Sequence, residues 1–126
     1  MSTAVTEFPP APDRVRGWYL HRDGGQTVLA RHWPPRFDVA ARAEFPPLRA
    51  VRLAHHVRQD VWRTFQRLRG FSPVVQVDAT DTGLSLIAGG RTSTPVPPAI
   101  QARLVALLND PRLRTRWIAC ASRGAA

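Results

Sequence analysis

The sequence predicts a single α+β domain: two antiparallel β-hairpins forming a small, mainly antiparallel sheet, packed by one long amphipathic helix and two shorter C-terminal helices. Three observations predict it. Two β-prone runs flank Asp23-Gly24-Gly25, and two more flank residues 79–83, and both connections carry the Gly and Asp chemistry of tight turns. Between the hairpins, residues 46–69 repeat their apolar side chains at the helical period. The length of 126 residues is enough for one core and too short for two.

Taken in order, residues 1–16 hold Pro9, Pro10 and Pro12 among small and polar neighbours, with no apolar periodicity. They read as a disordered leader before a domain of residues 17–126. The first residues lack the basic and apolar regions of a secretory signal, and no run is long and apolar enough to span a bilayer, so a cytoplasmic protein with no membrane contact is expected. The single Cys120 points to the same reducing setting. Residues 18–22 and 27–33 form the arms of the first hairpin, and Pro34-Pro35 ends the second arm because proline has no N–H for a ladder. A loop is expected to about Phe45.

Pro46-Pro47 then opens the long helix, to about Arg69, with Gly70 as its stop. Ala54, Val57, Val61, Phe65 and Leu68 fall on one stripe at 100° per residue, with Arg49, Arg52, His56, Arg63 and Arg67 nearly opposite. Residues 73–78 and 84–88 form the second hairpin. A shorter helix follows Pro97-Pro98, with Ile100, Leu104, Leu107 and Leu108 on one face, and Asn109-Asp110-Pro111 stops it and starts a last helix to about residue 122. The order β-β-α-β-β-α-α divides into two similar hairpin–helix halves, 17–70 and 71–126. The segments 46–53 and 97–104 align without gaps on two prolines and an Arg-Leu pair, which duplication or convergence explains about equally well.

Charge is the most unusual property of the chain. All 18 basic residues are arginine, against 9 acidic ones, giving a net charge of +9. Such a surface attracts polyanions. Yet Arg, Ala, Pro and Gly are also the residues that a GC-rich coding sequence favours, so placement matters more than number. The basic stripe on the long helix is the sharpest candidate for a nucleic-acid contact, because an arginine fork clamps phosphate oxygens bidentately. Its residues are Arg49, Arg52, Arg63 and Arg67, with Arg112 and Arg116 of the last helix as additions. Arg58 and Arg69 read as cover for the edge of the apolar stripe, beside Trp62. Arg123, and in part Arg116, suit the C-terminal end of the last helix dipole.

The expected partner is DNA or RNA, bound through phosphate contacts without base-specific motifs. An acidic protein partner, with the four tryptophans as anchors, is the alternative. No catalytic residue, metal or cofactor is predicted. His55, His56 and Asp60 supply too few ligands for a zinc site, His21 and His32 read as a surface pair across the first hairpin, and Cys120 reads as a buried structural thiol. Residues 89–94, Gly-Gly-Arg-Thr-Ser-Thr, have the glycines of an anion-binding loop but not its lysine or spacing, and read as a connector.

Overall fold

The computed structural model describes residues 10–122. Strands β1 (Arg14–Val15), β2 (Trp18–Asp23), β3 (Gln26–Ala30), β4 (Val39–Phe45), β5 (Ser72–Ala79) and β6 (Leu84–Arg91) form one antiparallel sheet in the order β1-β2-β3-β5-β6-β4. Helices α1 (Ala50–Phe65), α2 (Pro98–Leu108) and α3 (Pro111–Ala121) complete the α+β fold. Both expected hairpins are present, β2–β3 turning on Gly24 and Gly25 at positive φ, and β5–β6.

Side chains alternate across the sheet. One face, including Leu29, Val75, Val77, Leu86 and Ala88, packs against Leu53, Val57, Val61, Leu104 and Trp117 of the helices in the main core. The opposite face is part polar and part covered. Gln26 and Gln76 donate to Asp78 at one end, while Val28, Ala30 and Val74 form a small second cluster beneath Trp33 and Phe37 at the other.

Two strands lie where none is expected. Residues 39–45, expected as loop, form β4, with Val39, Ala41, Ala43 and Phe45 buried and Arg42 and Glu44 exposed. The alternation is regular, but its alanines carry little β-propensity, so the sequence signal is weak. Small residues here let α2 lie close, and Gln101 of α2 donates to the Ala40 carbonyl at 2.6 Å. Arg14 and Val15, within the expected leader, pair with Tyr19 and Trp18. Residues 1–9 of the expected leader lie outside the described residues.

Boundaries also shift for identifiable reasons. Helix α1 starts at Ala50 because Leu48 bridges Ser122 and the Arg49 N–H donates to the Ala121 carbonyl at 2.8 Å, holding the chain extended after Pro46-Pro47. It ends at Phe65, and turns closed by Leu68 N–H to Phe65 carbonyl and Phe71 N–H to Leu68 carbonyl lead to Gly70. The two aligned proline pairs therefore differ in place: Pro98 is the first residue of α2, whereas Pro47 stands three residues before α1. Strand β3 ends at Ala30, opposite Val74, and the next residue of β5 is Pro73, which has no N–H to continue the ladder. Beyond that point the chain leaves the sheet, through a cis Trp33–Pro34 bond.

Candidate functional site

The six arginines singled out in the sequence do not share one stripe. Arg49 is the residue before α1 and Arg52 lies in its first turn, and both face Arg22 across a cleft of about 700 Å³ beside the β2–β3 turn. Arg63 and Arg67 lie at the other end of α1 with Arg103, whose guanidinium sits 5.2 Å from the centre of the Phe65 ring. Arg112 is exposed on α3, and Arg123 falls outside the described residues. Arg63 and Arg116 both have an ion-pair partner inside the protein. Asp60 is 8% exposed, and its carboxylate accepts from Arg116 and, at 2.7 Å, from the buried Trp117 indole N–H, with Arg63 at 3.5 Å. Asp60 thus ties α1 to α3. Arg114 is structural too, donating to the Leu108 and Glu44 carbonyls and lying 4.2 Å from the centre of the Phe45 ring.

A different group of cations gathers where β1, β2 and β3 meet α1. Arg14 lies 5.0 Å from the centre of the Tyr19 ring, and Arg31 and Arg58 lie 5.0 and 4.5 Å from that of Trp18. The tight β1–β2 turn, with Arg16 and Gly17 at positive φ, brings Arg14 opposite Tyr19. Tyr19 and His21 both lie 5.9 Å from Trp33, so His21 meets an indole and not His32, which lies past the end of β3.

Two adjoining concavities open here, sharing Arg31 and His32. The first, about 490 Å³, also has Arg14, Tyr19, Trp33 and Arg91 on its walls. The second, about 390 Å³, lies between Trp18, Arg58, Trp62 and the start of β5 at Phe71, Ser72 and Pro73. Among the described residues no carboxylate lines either one. Trp62 is 37% exposed, one of two large apolar side chains so placed among the described residues, and stacks on buried Phe71 at 6.4 Å.

The electrostatics agree with the geometry. The pKa of His32 is pushed below its ordinary value by desolvation and then by Arg91, Arg31 and Arg14, and that of His55 by desolvation, Arg58, His56 and Arg16. The Arg58 guanidinium is itself disfavoured by burial and by Arg31. Arg58 Nε and Ser72 Oγ are the two side-chain polar atoms among the described residues that are closed to solvent and without a hydrogen-bond partner.

Compared with protein-family models, curated proteins and solved structures, the chain has no match. Its chemistry is read from its own side chains. Among the described residues no three His, Cys, Asp or Glu side chains are grouped to hold a metal ion, and Cys120 is half-buried on α3. Residues 89–91, expected as connector, belong to β6. Gly89 and Gly90 are needed because a Cβ would strike the Val39 and Ser72 carbonyl oxygens of the flanking strands.

What the β1–β3 corner can do is bind an anion that carries flat groups. Four arginines supply charge, and aromatic rings lie between them. Arg14, Arg31 and Arg91 have no helical periodicity, so a search for a basic helical stripe passes them over. The available signal was the alternation of aromatic and basic residues over 14–22 and 31–33.

Proposed function

We propose that this protein is a small module that binds single-stranded nucleic acid through phosphate contacts at the β1–β3 corner. The observation that carries the reading is the interleaving of Arg14, Arg31, Arg58 and Arg91 with Trp18, Tyr19 and Trp33, with no carboxylate among the described residues on the walls of either concavity. Single strands are favoured because unstacked bases expose faces that aromatic rings cover, while arginines neutralise the phosphates beside them. Arg49, Arg52, Arg67 and Arg112 remain exposed and extend the positive field that draws a strand in. Arg63 and Arg116 contribute less to that field, because Asp60 pairs with both.

Titrating the protein with single-stranded and duplex DNA and RNA at several salt concentrations tests the reading. Four neutralised phosphates on a single strand give a slope of log K against log salt of about −3. Replacing Arg14 and Arg31 together by Ala should flatten that slope by about 1.4 and weaken binding, whereas replacing Arg49 and Arg52 should leave the slope nearly unchanged. No binding at about 50 mM salt, or a slope near zero, overturns the proposal.

A further inference from the structure

The ladder places two of the corner's arginines on the face of the sheet turned away from the helices. Arg14 is paired with Tyr19, Tyr19 with Ala30, Ala30 with Val74 and Val74 with Gly89, and residues opposite one another in a ladder share a face. Arg91, two residues beyond Gly89 in β6, returns to that face. Trp33 packs on the small apolar cluster there, and Arg31 and His32 line the same concavity from the segment that leaves β3. Three guanidiniums and an imidazole thus surround one opening of about 490 Å³ beside the Tyr19 and Trp33 rings. Arg14, Arg31 and His32 are exposed and Arg91 is partly so, which leaves all four open to a ligand.

These cations are held in place without being neutralised. Arg14 donates to the Gly17 carbonyl at 2.9 Å and lies on Tyr19, and Arg31 lies on Trp18, so each guanidinium is oriented and keeps donors to spare. Arg91 is fixed through its neighbour, because the Thr92 N–H donates to Asp38 at 2.8 Å. Arg91 also acts on Asp38, but that carboxylate is clasped by Arg36 and does not line the concavity. His32 registers the crowding, since after desolvation it is Arg91, Arg31 and Arg14 that lower its pKa.

We propose that this concavity takes a phosphomonoester dianion, the phosphorylated end of a single strand, in preference to a phosphodiester within it. An internal phosphate carries a single charge and two free oxygens, fewer than the cations gathered here. A terminal phosphate carries a charge of about −1.5 to −2 at pH 7 and has three acceptor oxygens, one for each of Arg14, Arg31 and Arg91. Guanidinium forks suit such oxygens, because every bond is charge-assisted. The volume falls in the range of small-ligand sites and leaves room beside the phosphate for the rest of one nucleotide, against Tyr19 and Trp33. A strand with hydroxyl ends is held by the same arginines through successive diesters, and more weakly. End recognition rests on the single-strand reading and adds a polarity to it.

The deciding measurement is the affinity of the full chain for one short single strand bearing a 5′-phosphate, a 3′-phosphate or hydroxyls at both ends, and for a hydroxyl-ended strand two nucleotides longer. The longer strand gains two phosphodiesters and so matches the charge of the terminal dianion, which separates a site from general attraction. At least one phosphorylated strand should bind about tenfold tighter than the hydroxyl-ended strand of equal length, as one charge-assisted hydrogen bond gained requires, and several-fold tighter than the longer strand. Arg91→Ala should bring the tenfold ratio close to one, and Arg91→Lys, with the charge but not the fork, should restore only part of it. Arg14→Ala should lower the ratio likewise, so the test stands even where an Arg91 variant fails to fold. Equal binding of the phosphorylated and the longer strands overturns end recognition and leaves the single-strand reading intact, and a ratio unchanged in both alanine variants overturns the assignment to this concavity. If no strand binds, the single-strand reading fails, and titration with a nucleoside monophosphate and with its nucleoside decides the site. Binding of the monophosphate alone, lost in Arg91→Ala, retains it for a free phosphomonoester, whereas binding of neither, or of both equally, overturns it.

Discussion

Asp60 shows how little a residue's type says about its role until its neighbours are known. In the sequence it stands one turn from His56 and resembles half of an acid–base or metal pair. In the fold it is the acceptor for Trp117 and the counter-charge for Arg116 and Arg63, which removes two arginines from the set available to a polyanion. The two kinds of contact differ in worth. The guanidinium side chains of Arg63 and Arg116 are more than half exposed and recover hydration when released, so their attraction counts at a discount. Trp117 is fully buried, and its N–H has no water to turn to. Asp60→Asn keeps an acceptor for the indole and is expected to cost about 1–2 kcal/mol, while Asp60→Ala strands that N–H and should cost about 1–3 kcal/mol more. Urea denaturation of both variants checks this, and equal costs would show that charge and not the indole bond dominates. The remaining arginines sort the same way: Arg36 chelates Asp38, Arg114 caps carbonyls, and Arg14, Arg31 and Arg58 lie on rings.

At the scale of elements, legibility followed the strength of periodicity. Helices α2 and α3 stand close to their expected limits and both hairpins turn where expected, although β3 stops three residues short and β6 runs three residues further, because proline starts, the Asp110 cap and glycine turns act locally and leave clear marks. Strand β4 was not legible, since its inward positions are mostly alanine, chosen for the approach of α2 and not for β-propensity. The glycine pair of β6 misled in the opposite direction. Glycine beside glycine suggests a loop, yet Gly89 and Gly90 lie in a strand paired on both sides, where the neighbouring backbones come too close for a Cβ. Gly90→Ala would place its methyl carbon against the Ser72 carbonyl and 2.9 Å from Pro73 Cα, with backbone on every side and no side chain able to yield. Loss of about 3 kcal/mol is expected, at the upper end for overpacking. Gly24→Ala meets no atom within 4 Å and pays only for positive φ, about 1–2 kcal/mol. Thermal melts of the two variants should rank in that order, and the reverse order would mean that β6 can shift to relieve the contact.

Across the whole molecule, the corner of β1–β3 concentrates positive charge drawn from four separate parts of the chain, and this long-range assembly explains why the candidate site was the least legible feature in the sequence. Arg14 comes from β1, Arg31 and His32 from the chain beyond β3, Arg58 from α1 and Arg91 from the end of β6. Such a field leaves a pH signature whose sign can be worked out. His32 faces Arg91, Arg31 and Arg14, and His55 faces Arg58, His56 and Arg16, and both titrate lower in the folded protein than the usual value near 6.5. Between the folded and unfolded values the unfolded chain binds more protons, so stability rises with pH there. The full stability is present above about pH 6.5 and is lost as pH falls through that value toward the folded pKa values. Strand binding runs the other way. A phosphate beside His32 favours the imidazolium, so protons are taken up on binding and affinity increases as pH falls below about 6.5. As pH falls from about 6.5 to 5.5 the free protein should therefore melt at progressively lower temperature while its affinity for a single strand increases. His32→Gln should remove most of the gain in affinity, and His55→Gln should reduce only the loss of stability. Affinity that stays flat over this range in the wild-type protein would place the phosphates away from His32 and favour the cleft of Arg22, Arg49 and Arg52 as the binding face.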